Sequence, residues 1–161
     1  MLLDTAHADE FLYKYQLLMV YLTDGEIPNG MEGFAAIRPV IYECLDELEE
    51  SMLEVVGSEF LSNLKEAVFG KFVYLKKYKE GYVFKHIETG CYYQTLALTT
   101  PLDEMLDEFI VVNTAIVPFR GSFVCDGLIT SNNVALGKGL MKEVREGYHQ
   151  AKKDGSLRRI T

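Results

Sequence analysis

The chain has no tryptophan, three histidines, three cysteines and four prolines in 161 residues, and acids outnumber bases. Each shortage excludes something. Without tryptophan, the bulk of any core must come from the ten tyrosines and nine phenylalanines. Cys44, Cys91 and Cys125 are odd in number and widely spaced, so reduced thiols are expected, not a disulfide framework, and a cytoplasmic location follows. No apolar run approaches the roughly 18–20 residues that cross a bilayer. The longest candidate, Phe109 to Phe119, is interrupted by Asn113 and Thr114. The opening MLLDTAHADE has neither a basic start nor an apolar stretch, so it is not expected to be a secretion signal. A membrane role is therefore not expected.

What is present is ordinary for a globular chain: 48% hydrophobic and 25% charged residues. At this length about two-thirds of the unfolded surface is buried on folding, enough for a core without staples. The net charge of −8 is unevenly divided. Residues 1–66 carry 14 acids against Lys14, Arg38 and Lys65, a net of −11, whereas residues 67–161 carry 10 acids against 13 bases, a net of +3. The acidic half reads as a solvated helical face or as a surface for a basic partner.

Periodicity divides the chain at the same place, into an acidic helical segment, 1–68, and an antiparallel β unit with a C-terminal helix, 69–161. Phe11, Tyr15, Leu18 and Leu22, widened by Leu12 and Met19, predict a helix over 5–22. Pro39 suits a first helical position, so a second helix is expected from there to Gly57, burying Ile41, Leu45, Leu48, Met52 and Val55. A third is expected over about 59–68. Next, 71–79 and 82–87 read as a hairpin about Glu80-Gly81, and 91–98 as a third strand. Thr100-Pro101 starts a helical turn, with Thr100 expected as its cap. Further strands are expected over 109–118 and 122–130, with a short sixth over 133–136. Leu140, Val144, Tyr148 and Ala151 give a last helix, about 138–153, stopped by Gly155. The class is α+β, with a strongly bent sheet or partly open barrel between terminal helices.

The order of these elements, with VPFRGSFVCDGLI, LGKG and GYHQAKKDG, resembles a family of uncharacterised bacterial proteins that share a PF-x-G, x-DG-L signature before a Gly-rich step and a final helix. The resemblance is strongest from Val117 to Gly155 and implies a bacterial origin. It implies no activity.

Four places could carry chemistry. Gly137-Lys138-Gly139 before a helix could hold an anion, but a phosphate loop needs more glycine and a Ser or Thr after the lysine, so a tight turn is expected. His86, Glu88 and Cys91 match no zinc spacing and lack a fourth ligand; a surface histidine and a buried thiol are expected, with no metal and no cofactor. Asp126-Gly127 interrupts an apolar strand and suggests a bulge. Asp126 there either bonds backbone, the favoured reading, or acts with Arg120, or as a hydrolytic acid with His149 and Glu143. The strongest patch is 71–93, where Lys71, Lys76, Lys77, Lys79, Lys85 and His86 alternate with Phe72, Tyr74, Tyr78, Tyr82, Phe84, Tyr92 and Tyr93. Such a surface can stack single-stranded nucleic acid. Against that, alternation sends many of these rings inward, and edge lysines also discourage sheet aggregation. The expected function is a non-catalytic protein-interaction or regulatory module, binding a protein partner or a second copy. The alternative is nucleic-acid binding. Candidate binding residues are Lys71, Lys76, Lys77, Lys79, Arg120 and Asp126.

Overall fold

A computed structural model describes residues 1–160. Four helices come first: α1 (Thr5–Leu22), α2 (Gly30–Glu43), α3 (Leu45–Val56) and α4 (Ser58–Lys65). Strands β1 (Val68–Tyr78), β2 (Gly81–His86) and β3 (Tyr92–Thr95) lead through a short α5 (Leu102–Met105) to β4 (Ile110–Phe119). Strands β5 (Ser122–Cys125) and β6 (Thr130–Ala135) and helix α6 (Lys138–Asp154) complete the chain. The fold is α+β, as the sequence patterns indicate.

The strands pair antiparallel in the order β3-β2-β1-β4-β5, with β6 also on β4, and isolated parallel bridges join Leu96 to Val124 and the chain ends to the β3 segment. The sheet curls until its two edges meet: the Leu96 N–H donates to the Phe123 carbonyl (2.9 Å), and the Cys125 N–H to the Leu96 carbonyl (3.0 Å). Both chain ends add to the β3 segment, on its two sides. The Leu3 N–H reaches the Ala97 carbonyl (2.8 Å), and the Arg158 N–H reaches the Tyr92 carbonyl (2.8 Å). An edge covered in this way offers no free ladder for aggregation.

Period-two alternation places Phe72, Tyr74, Tyr82, Phe84, Val112 and Ile116 inside the curl. Their neighbours Val73, Leu75 and Val83 face outward beneath Val144, Tyr148 and Ala151 of α6. Further along β4 and β5, Ala115, Val117, Phe119 and Val124 pack under α1, α3 and α4. The core thus runs across the boundary between residues 68 and 69. Helix α6 approaches so closely that the Tyr92 hydroxyl, donating to the Val144 carbonyl at 2.8 Å, fills the space a side chain at Gly147 would need. That explains a glycine in a helix interior, where it costs about 1 kcal/mol relative to alanine.

Several expectations are corrected. Pro39 lies inside α2, which begins nine residues earlier at Gly30. Two glycines in its first turn mask the helical signal, and packing of Phe34, Ala35 and Arg38 supplies what propensity does not. The chain breaks instead at Cys44, between α2 and α3. On α3, Val56 is buried and Val55 exposed. On α6 it is Met141 that packs inward while Leu140 is exposed. Helix α4 ends at Lys65 so that β1 can start at Val68. Pro101, not Thr100, is the cap of α5. The strand expected over 122–130 ends at Cys125; the chain swings out through Asp126–Ile129 and resumes as β6 on the same edge of β4. This is the bulge anticipated from Gly127, whose φ of +78° only glycine adopts without strain.

Candidate functional site

The outward swing between β5 and β6 leaves Asp126 fully buried in the heart of the molecule. Its backbone still belongs to the sheet, the N–H donating to the Ala115 carbonyl at 3.0 Å. Its carboxylate is held by four residues from four parts of the chain. Arg38 Nη1, from α2, donates to both oxygens at 3.1 Å. Tyr15 of α1 donates to Oδ2 at 3.0 Å. Thr114 of β4 and the Leu128 N–H donate to Oδ1 at 3.2 and 3.0 Å. Arg38 also donates to the Leu128 carbonyl. Since Tyr15 gives its only proton to Asp126, Tyr42 must donate in the 2.9 Å Tyr15–Tyr42 contact. Phe69 backs the group: it stacks on Tyr42 (ring centroids 5.6 Å apart) and takes the Arg38 guanidinium over its face at 4.8 Å. Arg38 Nε is the one buried nitrogen here without a partner.

Burial sets the protonation of this cluster. It pushes the Asp126 carboxyl above its ordinary 3.8, with Arg38 the main opposing influence. It raises the Tyr15 and Tyr42 phenols well above the usual range and the Cys125 thiol to about 12. A thiol held protonated is not a nucleophile. A carboxylate already accepting from four residues has no lone pair to spare for a substrate proton. None of its hydrogen-bond partners is a histidine. The arrangement ties α1, α2 and β4 to the segment that follows β5.

On either side of Leu128 the surface opens into two apolar lobes. One, of about 230 Å³, lies among Leu12, Tyr15, Met19 and Phe34, with Gln16 at its rim. The other, of about 150 Å³, lies among Met31, Leu98, Leu102 and Met105, with Thr99 and Thr100 also lining it. Leu12, Asp126 and Leu128 belong to both.

The other sequence-derived candidates do not converge here. Arg120 does not pair with Asp126; it forks onto Glu10 of α1, with Nη2 at 2.6 and 2.7 Å from the two carboxylate oxygens. Lys71, Lys77 and Lys79 are exposed and Lys76 is half-buried, its ammonium 5.2 Å from the Tyr78 ring. Strand rise spreads Lys71 and Lys79 over about 26 Å. Phe72, Tyr74, Tyr82, Phe84, Tyr92 and Tyr93 are buried, so the stacking rings of the 71–93 patch form core and not surface. His86, expected at the surface, is buried with Nδ1 2.8 Å from Thr89 Oγ1, while Cys91, expected to be buried, is half-exposed. Among the described residues no three His, Cys, Asp or Glu side chains converge as metal ligands.

Sequence reasoning found Asp126 and missed Arg38, Tyr15 and Tyr42 as its partners. A signal for Arg38 was available. It stands alone within the apolar run AAIRPVI, as Asp126 does within FVCDGLI. Opposite charges isolated in apolar runs are candidate partners, since neither can be buried alone.

Fold and cluster together define an α+β protein in which a curled antiparallel sheet is pinned to a helical layer through one buried ion pair. Comparison with protein-family models, curated proteins and solved structures found no match. The resemblance carried by the Val117–Gly155 segment therefore rests on those residues alone.

Proposed function

We propose that this chain is a non-catalytic interaction module that receives a basic protein partner on its helical layer. One observation carries the reading. Every cation of residues 1–66 is engaged internally: Lys14 with Glu10, Arg38 with Asp126, and Lys65 with Glu49. Meanwhile Glu43, Glu47, Glu50 and Glu54 project from α2 and α3 with no cation beside them among the described residues. Leu53 and Val55 are exposed among these carboxylates and give a partner apolar contact. Such a face steers a positively charged partner and fixes its register. No helix is long and apolar enough to cross a membrane, and the three free thiols suit a reducing cytoplasm. The bacterial source rests on the resemblance.

The test is co-purification with the intact chain, its Glu47→Lys, Glu50→Lys, Glu54→Lys variant, and its Lys71→Gln, Lys77→Gln, Lys79→Gln variant. A stoichiometric protein lost from the first variant, kept by the second, and released near 1 M salt, where the Debye length is about 3 Å, supports the proposal. Retention on the acid-reversed chain overturns it. So does nuclease-sensitive material that depends on the three lysines, which supports the nucleic-acid alternative.

A further inference from the structure

The two lobes beside Leu128 are unexplained by the acidic face, and their chemistry is specific enough to name a ligand class. We propose that they form one binding site for an uncharged hydrocarbon chain, laid across Leu128 with its polar end at the rim near Gln16. This inference is independent of the basic-partner reading.

The walls decide the class. Tyr15 and Asp126 are the buried polar groups that reach the lobes, and both are saturated from within the protein. Asp126 accepts from Arg38, Tyr15, Thr114 and the Leu128 N–H, and its charge is offset by Arg38. An entering cation finds no free carboxylate among the lining residues, and the neutral groups there replace little of its hydration. An entering anion finds no cation among the lining residues. Most remaining contacts are aliphatic or aromatic: Leu12, Met19 and Phe34 in one lobe, and Leu98, Met31, Leu102 and Met105 in the other, where the exposed Thr99 and Thr100 add uncharged polar groups. Apolar walls with a few fixed polar groups are the usual make-up of a small-molecule site.

Size gives the second constraint. A water-sized group claims about 30 Å³, so the 230 Å³ lobe admits about eight of them. That suits a chain of about eight carbons whose end continues past Leu128 into the smaller lobe. Leu12 and Met31 are exposed at the mouths, so entry needs no opening of the core. Gln16, exposed on α1, supplies both a donor and an acceptor where a hydroxyl head would emerge.

The experiment is a titration of the full chain with octan-1-ol, followed by methyl and aromatic NMR shifts. Octanoate and octylammonium are run in parallel. The expected result is saturable shifts confined to the two lobes, at Leu12, Met19, Phe34 and Leu128 and, where the chain end passes Leu128, at Met31 and Met105, with both charged analogues weaker by at least about tenfold. Gln16→Trp adds an indole at an exposed rim and is expected to weaken octanol at least about tenfold, with unchanged circular dichroism. Should that variant perturb the fold, Met31→Trp closes the second lobe and provides the same comparison. Shifts that do not saturate, that spread beyond the lobes, or that survive a folded plugging variant overturn the proposal. Equal binding of a charged analogue also overturns it. None of these outcomes depends on the α3 carboxylates, so failure here leaves the interaction reading standing.

Discussion

Two arginine–carboxylate pairs tie the helical layer to the sheet, and they do so under opposite conditions. Arg38–Asp126 joins α2 to the bulge after β5 with both side chains excluded from water. Arg120–Glu10 joins the β4–β5 hairpin to α1 at the surface, with the arginine more than a third exposed. The surface pair has the better fork geometry, at 2.6 and 2.7 Å against 3.1 Å. It is nonetheless the weaker fastening. Water and salt screen an exposed pair, whereas removing either member of a buried pair strands the other without solvation. Geometry ranks the two one way and burial ranks them the other, and burial governs.

The sharpest way to break the comparison is Arg38→Met. It leaves Asp126 buried without its counter-charge and is expected to cost about 3–5 kcal/mol in denaturant unfolding. Adding Asp126→Asn removes the uncompensated charge and keeps one oxygen for Thr114 and the Leu128 N–H, with its amide NH2 turned to the Tyr15 hydroxyl, and should restore more than half of that loss. A double variant as unstable as the single one would mean that Arg38 acts through its packing on Phe69 and not through charge.

Tyr15→Phe comes next, at about 1–3 kcal/mol, because Asp126 loses a donor and the Tyr42 hydroxyl loses its acceptor inside the protein. Tyr15→Phe combined with Tyr42→Phe should cost less than the sum of the two singles, measured by the same unfolding curves, since the two hydroxyls serve one chain of bonds.

Arg120→Ala should have the smallest effect of the three. Its unfolding midpoint should approach that of the unmodified chain as salt rises, whereas the Arg38→Met deficit should persist. A salt-insensitive Arg120→Ala deficit would show that the hairpin fastening is shielded from solvent in a way its exposure does not suggest.

Acid separates the pairs by the sign of their response. Glu10 is held below its ordinary 4.5, chiefly by its hydrogen bond to Lys14, with Arg120 adding to it. Its contribution to stability is present above 4.5 and is lost as pH falls through the folded value. Asp126 is shifted the other way, by burial. Its contribution is fully present below 3.8 and is lost as pH rises through the folded value. Stability measured from pH 3 to 6 should therefore fall less on acidification in Glu10→Gln than in the unmodified chain. In Asp126→Asn it should fall more steeply, because the opposing slope has been removed.

Much of the fold is legible in the sequence because its signals are local. The stripe of α1, the Gly57 stop, the turn at Glu80-Gly81 and the final helix are all set by side chains within a few residues of one another. Where the local signal is weak or false, legibility fails. Two glycines hide the first turn of α2, and Pro39 imitates a helix start although packing holds it inside the helix. The lysine-rich hairpin illustrates the limit. Alternation announces which rings share a face, but it does not announce that the faces are covered, one by the curl of the sheet and the other by α6.

The sequence by itself determined the α+β class, the acidic first half and the irregularity at Asp126-Gly127, because composition, periodicity and a glycine in a strand are properties of neighbouring residues. Tertiary structure alone decided that Asp126 meets Arg38 across 88 positions, that Arg120 turns to Glu10, and that two apolar lobes open beside Leu128. A buried charge accepts whichever opposite charge folding brings within reach, and that choice is made in space, where separation along the chain does not count.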